Sequence, residues 1–257
     1  MDYKVDLHTH SSCSDGKLKP EELVKRAKEK ELFLMAITDH DTVEGVEAAL
    51  IAGEALKLKV IPGIEISAVE GGVNIHILGL DIDYKNEKIQ EVCQFNMKGR
   101  EERNKSLLKL VERDFHMERE CFEKEGSSFI GKMDIARGLV SAELAQSTEE
   151  VFNTIFEREE YRRLKKKKVS AKRAVEAVID AGGIAVWAHP GSTRGIGVRN
   201  SYEFWEEAYS IAEKLKSYGL KGIEVICSKH DSKERIAALN IAEKLHLHIT
   251  QGSDFHG

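Results

Sequence analysis

The chain has 257 residues and a formal net charge of −5, with 41% hydrophobic and 32% charged residues. This length suits one large α/β domain, or a core domain that carries an insertion. The acidic balance argues against extensive coating of nucleic acid but allows a small phosphorylated substrate at a local cationic site. No run of eighteen apolar residues occurs, so the sequence predicts no membrane span.

The first part of the chain alternates predicted strands and helices. Pro20 suits the first turn of a helix, where its missing N–H group is harmless, and Thr42 is a predicted N-cap. The alternation predicts a mostly parallel sheet or barrel. Strand and helix patterns follow one another over residues 3–5, 20–30, 32–38, 42–56, 59–62 and 73–80.

The alternation stops between about residues 87 and 168, where the sequence becomes charged and helix-rich. Gly126-Ser127-Ser128 and Gly131 interrupt this stretch, which is too long for one crossover helix. The sequence therefore predicts an inserted helical subdomain over 98–170, flanked by the two parts of a barrel, 1–97 and 171–257. The alternation resumes with helices over 171–181, 202–218 and 233–245, and strands over 184–187, 222–226 and 246–250.

Histidines and carboxylates lie at or just after the ends of most predicted strands. His8 and His10 are two residues apart in an extended segment, so their side chains point to the same face. In a β/α barrel the carboxyl ends of the strands meet at one rim, where residues distant in sequence converge. The candidate metal ligands are His8, His10, Asp15, His40, Glu65, His76, His189, Asp254 and His256.

This set of side chains predicts a metal site. Imidazole and carboxylate mixtures suit Mn, Zn or Fe, and the lack of thiolates argues against a structural zinc knuckle. Nine ligands are too many for one ion, so two or three ions are implied, and their identity stays open. His8 and His10 alone would also fit two ordinary strand histidines, but the other candidates argue against that interpretation.

Five short motifs carry a resemblance to the polymerase and histidinol phosphatase (PHP) family. They are Asp6-Leu7-His8-Thr9-His10-Ser11 with Ser14-Asp15-Gly16, Thr38-Asp39-His40-Asp41, Gly63-Ile64-Glu65, Ala188-His189-Pro190 and Gly252-Ser253-Asp254-Phe255-His256-Gly257. The resemblance runs over the whole chain. The helical insertion makes the chain similar to small bacterial members that remove phosphate from nucleotide ends.

The resemblance implies a fold and a set of ligands. The fold is an α/β, distorted (β/α)7 TIM-like barrel, which agrees with the seven predicted strands. The ligand sets implied by the family pattern are His8, His10, Glu65 and Asp254 for one ion, Glu65, His76 and His189 for a second, and Asp15, His40 and His256 for a third.

The resemblance also implies a phosphoric ester hydrolase, in which clustered ions activate hydroxide for attack on phosphorus. The favoured substrate is a nucleoside 3',5'-bisphosphate or the 5' end of a short oligonucleotide. A 5'-to-3' exoribonuclease and a sugar- or histidinol-type phosphatase are alternatives. A non-catalytic metal-binding regulatory module is the alternative outside enzymology.

Substrate recognition is predicted in two places. The stretch 129–137 resembles a family segment whose basic residues meet the substrate phosphate. Arg137 keeps its position there, whereas Lys132 replaces a usual arginine and Asp134 a common histidine. Arg103 is a further candidate for substrate binding. Ser228 and His230 match a family Ser-x-His, in which His230 would bind phosphate or protonate the leaving group.

The remaining features predict ordinary roles. The start of the chain lacks a basic region followed by an apolar one, and four scattered cysteines are typical of reduced thiols, so we expect a cytoplasmic protein. Asp39 and Asp41 are predicted to orient His40 or its loop. His246 and His248 are predicted to be structural. The sequence leaves the oligomeric state open.

Overall fold

The computed structural model describes residues 4–122 and 130–257. The predicted interruption Gly126-Ser127-Ser128 and the first residue of the stretch 129–137 lie outside these ranges. The chain divides into two compact units. One contains residues up to 94 together with 168–257, and the other contains residues 95–167.

A single sheet organises the first unit. Its strands in the described residues are β1 (Val5–Asp6), β2 (Leu34–Ile37), β3 (Lys59–Glu70), β4 (Val73–Leu80), β5 (Val169–Ser170), β6 (Ile184–Trp187), β7 (Gly222–Cys227) and β8 (His248–Gly252). Seven follow the order β1-β2-β3-β4-β6-β7-β8, and β5 pairs with β3 beside this path. The Leu7 backbone nitrogen donates to the Gln251 carbonyl at 3.1 Å and joins the two ends of the sheet. The predicted α/β barrel is confirmed as a nearly closed, barrel-shaped sheet.

One hairpin departs from the predicted parallel arrangement. β4 runs antiparallel to both β3 and β6. The strand predicted to end at Pro62 continues to Glu70, because its pairing passes from β2 to β4 after that proline. Gly71 and Gly72 reverse the chain with φ values of 56° and 87°, as a two-residue hairpin turn requires. Glu65 therefore lies inside a strand, not in a loop.

Helices cover the outside of this sheet. In the first unit they are α1 (Pro20–Glu29), α2 (Val46–Leu56), the start of α3 (Glu87–Phe115), α7 (Ala171–Asp180), α8 (Tyr202–Ser217) and α9 (Ser232–Leu245). Ser170 caps α7 by accepting a hydrogen bond from the Arg173 backbone nitrogen at 3.2 Å. The apolar core between sheet and helices includes Val24, Ile66, Trp187 and Leu215.

Two predicted boundaries were wrong. α2 begins at Val46 with Gly45 at its N-cap, because Thr42 instead accepts a hydrogen bond from the Glu44 nitrogen within the preceding turn. β8 begins at His248, because His246 adopts the left-handed conformation (φ 50°) that ends α9.

The second unit is helical in its described part. Besides most of α3, it contains α4 (Lys132–Ser141), α5 (Thr148–Glu150) and α6 (Glu159–Arg163), with a short π-helical segment over Val151–Ile155. Its own apolar cluster includes Leu107, Ile135 and Phe156. In the ranges that the structure describes, no helix of either unit combines the length and apolarity needed to cross a membrane.

Alternation along the strands places polar groups inside the barrel. Glu65 and Leu78 are directly paired across the β3–β4 hairpin, so their side chains share one face, while the neighbouring pair Ile66 and Ile77 faces the helices. Leu78 packs in a small cluster with Ala36, Leu80, Val186 and Ala188. Glu65 thus occupies the inner face of the sheet.

Candidate metal centre

The carboxylate of Glu65 is the centre of the candidate site. Its side chain is fully buried. Five imidazole nitrogens lie between 2.9 and 3.3 Å from its two oxygens, and they belong to His8, His10, His40, His76 and His189. Because these histidines come from four different strands or strand ends, one side chain gathers candidate ligands from most of the barrel.

Two aspartates extend the cluster. Asp254 Oδ1 lies 3.1 Å from His10 Nε2 and 3.6 Å from His8 Nε2. Asp15 Oδ1 lies 3.3 Å from His256 Nε2, and the Asp15 side chain is 52% exposed. The cluster therefore runs from a buried carboxylate to one that is accessible from solvent.

All nine predicted ligands come together in this cluster. Among the residues that the structure describes, three groups of donor atoms are close enough to hold one metal ion each: His8, His10, Glu65 and Asp254; His10, Asp15, His40 and His256; and His40, Glu65 and His76. The first group equals a set implied by the family pattern. The second adds His10, and the third contains His40 where the pattern has His189. His189 Nε2 is nevertheless 3.0 Å from Glu65 Oε1.

The polar atoms of the cluster fit a divalent cation. His8 Nε2, His10 Nε2 and Glu65 Oε2 are buried and close together, yet the described residues give them no hydrogen bond of acceptable geometry. A buried polar atom without a partner costs about 1–3 kcal/mol. A cation satisfies imidazole and carboxylate lone pairs at once, so the His/Glu/Asp cluster can hold metal ions.

The electrostatics of the cluster keep its carboxylates negative. Burial alone would raise the pKa of Glu65, but His40, His8 and His76 outweigh it and hold this pKa well below the ordinary value. The pKa values of Asp15 and Asp254 are lowered in the same way. These groups are therefore anionic at neutral pH, as metal ligands must be.

The pKa values of two imidazoles in the cluster shift in opposite directions. Burial would lower the pKa of His10, but the nearby carboxylates of Asp254 and Glu65, 3.1 and 3.3 Å from its Nε2, raise it to about 9. For His76, burial dominates and lowers the pKa to about 4. In the metal-free protein, His10 thus carries a proton at neutral pH while His76 does not.

The sequence of the chain matches the PHP domain model over residues 6–228. The chain belongs to the PHP domain family. The family and the class of enzyme predicted from the sequence motifs are confirmed, since relatives in this family are phosphatases, phosphodiesterases and exoribonucleases.

Three curated relatives match nearly the whole length of this chain. It is 33% identical to the 5'-3' exoribonuclease Rnm of Escherichia coli, over 98% of this chain and 84% of the relative. It is 30% identical to the phosphoribosyl 1,2-cyclic phosphate 1,2-diphosphodiesterase of Eggerthella lenta, over 98% and 94%. It is 28% identical to the 3',5'-nucleoside bisphosphate phosphatase of Chromobacterium violaceum, over 98% and 87%.

A solved structure shares this PHP fold. The structure from Bifidobacterium adolescentis, assigned as a metal-dependent phosphoesterase, superposes with a TM-score of 0.84 at 30% identity. The alignment covers 98% of this chain and 87% of that one. This likeness agrees with the barrel and with the metal-binding chemistry of the cluster.

Two aspartates hold segments that carry candidate ligands. Asp39 accepts hydrogen bonds from the Ser11 nitrogen (2.7 Å), the Ser11 hydroxyl (2.6 Å) and the Ser14 hydroxyl (2.5 Å), and so fixes the loop between His10 and Asp15. Asp41 accepts from the Ser67 nitrogen at 2.8 Å. The contacts of Asp39 and Asp41 are thus to the neighbouring loop and strand.

Two side chains at the site were missed by the sequence analysis. Glu224 is fully buried on β7 and contacts His8 and the His189 backbone. Lys229 forms an ion pair with Asp254. A lone carboxylate inside the apolar run Gly222–Cys227 was the available signal for Glu224, and the position between Ser228 and His230 was the signal for Lys229.

His230 has other partners than those predicted. It is 3% exposed, its Nδ1 lies 3.0 Å from the Val225 carbonyl, and its Nε2 accepts from the Gly191 nitrogen at 3.0 Å. Burial lowers its pKa. The Nδ1 proton is donated to the Val225 carbonyl and the Nε2 lone pair accepts from the Gly191 nitrogen, so this geometry argues against His230 as the leaving-group acid. Ser228 donates its hydroxyl to the Ser253 carbonyl at 2.6 Å.

The other predicted substrate-binding residues lie in the second unit. Arg137 on α4 has a side chain that is 60% exposed and 3.4 Å from Asp134. The Lys132 ammonium lies 4.4 Å from the Phe156 ring centroid and 4.9 Å from that of Phe152. Arg103 lies on α3, where burial lowers the pKa of its guanidinium. Their contact with substrate stays a prediction.

We expect the chelator-treated protein to lose stability as pH rises from 6.5 to 9. The folded-state pKa of His10 is about 9 against an ordinary 6.5, so its contribution is complete below 6.5 and disappears as pH rises through 9. One pKa unit corresponds to about 1.4 kcal/mol, so the loss is on the order of 3 kcal/mol. Urea unfolding at a series of pH values measures it. His10→Asn should flatten this slope, and a wild-type free energy of unfolding that does not fall would contradict the prediction.

Proposed function

We propose that this protein hydrolyses phosphate esters of a small nucleotide, using two to three divalent ions of Mn, Zn or Fe. The observation that carries the proposal is the buried Glu65 carboxylate with five imidazoles around its two oxygens. Membership in the PHP family supports the same chemistry.

The nine clustered side chains would divide among the ions as the family pattern implies. Glu65, whose two oxygens face different imidazoles, would contribute to the first two sets. The sets are His8, His10, Glu65 and Asp254; Glu65, His76 and His189; and Asp15, His40 and His256.

The bound ions would supply positive charge to the phosphate oxygens and lower the pKa of the attacking water. The side chains of this chain would hold the ions in position. Glu65 and Asp254 stay anionic because their pKa values are lowered. Ser11 donates its hydroxyl to Asp39 at 2.6 Å, which argues against a serine nucleophile. Lys229 forms an ion pair with Asp254, so its ammonium group lies beside this carboxylate of the candidate site.

The preferred substrate is a nucleoside 3',5'-bisphosphate or the 5' end of a short oligonucleotide. The named activity of the Chromobacterium violaceum relative favours the former. A 5'-to-3' exoribonuclease is the second candidate, and the identity of 33% with the Escherichia coli enzyme favours it. The net charge of −5 supports small substrates over long strands.

Residues 98–170 would form an inserted subdomain that caps the substrate. Arg137 would grip a phosphate with its exposed guanidinium, which offers paired donors to phosphate oxygens. Lys132, Arg103 and Ser228 would be further substrate contacts.

We place the protein in the cytoplasm, which its four free cysteines favour.

Phosphate release from a panel of esters tests the proposed activity. The panel contains adenosine 3',5'-bisphosphate, 5'-phosphorylated di- to pentaribonucleotides, phosphoribosyl 1,2-cyclic phosphate, histidinol phosphate and an aryl phosphate, each with added Mn²⁺. We expect a preference for the bisphosphate or the short RNA. His189→Ala should reduce turnover at least about 100-fold. Mutation of a residue that only hydrogen-bonds to a metal ligand already lowers metal affinity or activity about 10–100-fold, and His189 is a candidate ligand itself.

The matched control for this experiment is His248→Ala. His248 is an exposed histidine at the first residue of β8, whereas the candidate ligands Asp254 and His256 follow the last one. We expect it to keep wild-type turnover. Two or more bound ions with no turnover of any ester would contradict the proposal and favour a non-catalytic metal-binding module.

Arg137→Ala tests the capping role separately. A hydrogen bond to a charged group contributes about 1.5–3 kcal/mol, so the KM for the preferred substrate should rise about tenfold or more. The metal content should not change. Arg162→Ala, which removes an exposed arginine from α6, is the control. Steady-state kinetics that give the two variants equal KM values would refute the role of Arg137.

A further inference from the structure

A second buried carboxylate, Glu224 on β7, lies behind the metal centre. Its Oε1 is 3.1 Å from His8 Nδ1, the ring nitrogen remote from Glu65. Its Oε2 accepts a hydrogen bond from the His189 backbone nitrogen at 2.8 Å. Glu224 belongs to none of the three groups of donor atoms. It therefore contacts two candidate ligands from two other strands without being a ligand itself.

The contact with His8 fixes which ring nitrogen carries a proton. A carboxylate only accepts hydrogen bonds, so the nitrogen that faces Glu224 must be an N–H donor. The opposite nitrogen, Nε2, lies 3.2 Å from Glu65 Oε2 and 3.6 Å from Asp254 Oδ1. With the proton held on Nδ1, the lone pair of Nε2 is directed into the metal centre.

The contact with His189 supports an unusual backbone. His189 has φ 30° and ψ 59°, a left-handed conformation that costs a non-glycine residue roughly 1–2 kcal/mol. The hydrogen bond from its N–H group to Glu224 helps to hold this conformation. The imidazole then places Nε2 at 3.0 Å from Glu65 Oε1.

Gly252 on β8 provides the space for this arrangement. A Cβ atom at Gly252 would lie 2.3 Å from His8 Cβ and 2.7 Å from Glu224 Oε1. Only glycine allows the imidazole and the carboxylate to meet here. Glu224, His8 and His189 thus form one hydrogen-bonded unit, and Gly252 packs against it. The four residues come from four different strands or strand ends.

We propose that Glu224 is a positioning residue that presents His8 to one metal ion and His189 to another. This role rests on the metal-dependent function proposed above. A single carboxylate on β7 would then determine which nitrogen of His8 faces the metal ion, and it would also stabilise the backbone conformation of His189.

Glu224→Gln tests this role with almost no change in shape. The His189 N–H group requires an acceptor, so the amide oxygen of the glutamine faces it. The amide NH₂ group then faces His8 Nδ1 and donates to it, which moves the imidazole proton to Nε2. His8 then has no lone pair directed at the metal centre.

The readout is zinc binding by isothermal calorimetry, together with the ring-proton position from ¹H–¹⁵N spectra of the zinc-loaded protein. In the wild type we expect His8 to carry its proton on Nδ1. In Glu224→Gln we expect the site that includes His8 to bind zinc about 10–100-fold more weakly. The zinc affinity of the site that includes His189 should change less, because the hydrogen bond from the His189 backbone nitrogen is kept.

Glu234→Gln is the matched control. It also removes a fully buried carboxylate, but Glu234 bonds to Arg199 and to the Asp231 nitrogen and touches neither His8 nor the His189 backbone. We expect wild-type zinc affinity in this variant.

The outcomes separate this inference from the function on which it rests. Wild-type zinc affinities in folded Glu224→Gln would overturn the positioning role and leave the proposed function intact. A wild-type protein that binds none of Zn²⁺, Mn²⁺ and Fe²⁺ would overturn both. If Glu224→Gln does not fold, the wild-type spectrum decides: a proton on His8 Nδ1 supports the role, and a proton on Nε2 overturns it.

Discussion

The burial of one carboxylate among five imidazoles is the constraint on which the rest of this structure depends. A buried negative charge is costly unless charged or hydrogen-bonding partners compensate it. Around Glu65 the compensation comes from histidines on different strands, so the site forms only when the barrel brings them together. The same arrangement leaves buried lone pairs that a divalent cation would satisfy.

The barrel meets this constraint through its turns and close contacts. The β3–β4 hairpin places Glu65 and His76 on facing strands, with His76 Nδ1 2.9 Å from Glu65 Oε1. Left-handed backbone at His189 and Asp254 turns two other candidate ligands toward the cluster. Strained residues of this kind persist where surrounding contacts hold them, and they concentrate at functional sites. Glu224 supplies such a contact to His189 from outside the set of candidate ligands.

The sequence predicted which side chains cluster better than it predicted the residues that support them, for a physical reason. His8 and His10 share a face by strand geometry, and the motif resemblance supplied partners such as Glu65 and His189. The reversal at Gly71-Gly72 was missed because strand periodicity does not report the direction of a strand. Glu224 was missed because a single acid in an apolar strand has no spacing signature. The partners of His230 depend on backbone groups, which no side-chain pattern reveals.

The most direct test of this account is the metal content and turnover of Glu65→Gln, which keeps the side-chain volume and removes the charge. The wild-type protein should bind at least two ions per chain by elemental analysis and hydrolyse its preferred phosphate ester. Glu65→Gln should remain folded, lose most of its bound metal and lose turnover. A folded Glu65→Gln protein with wild-type metal content and turnover would contradict the central role of this carboxylate.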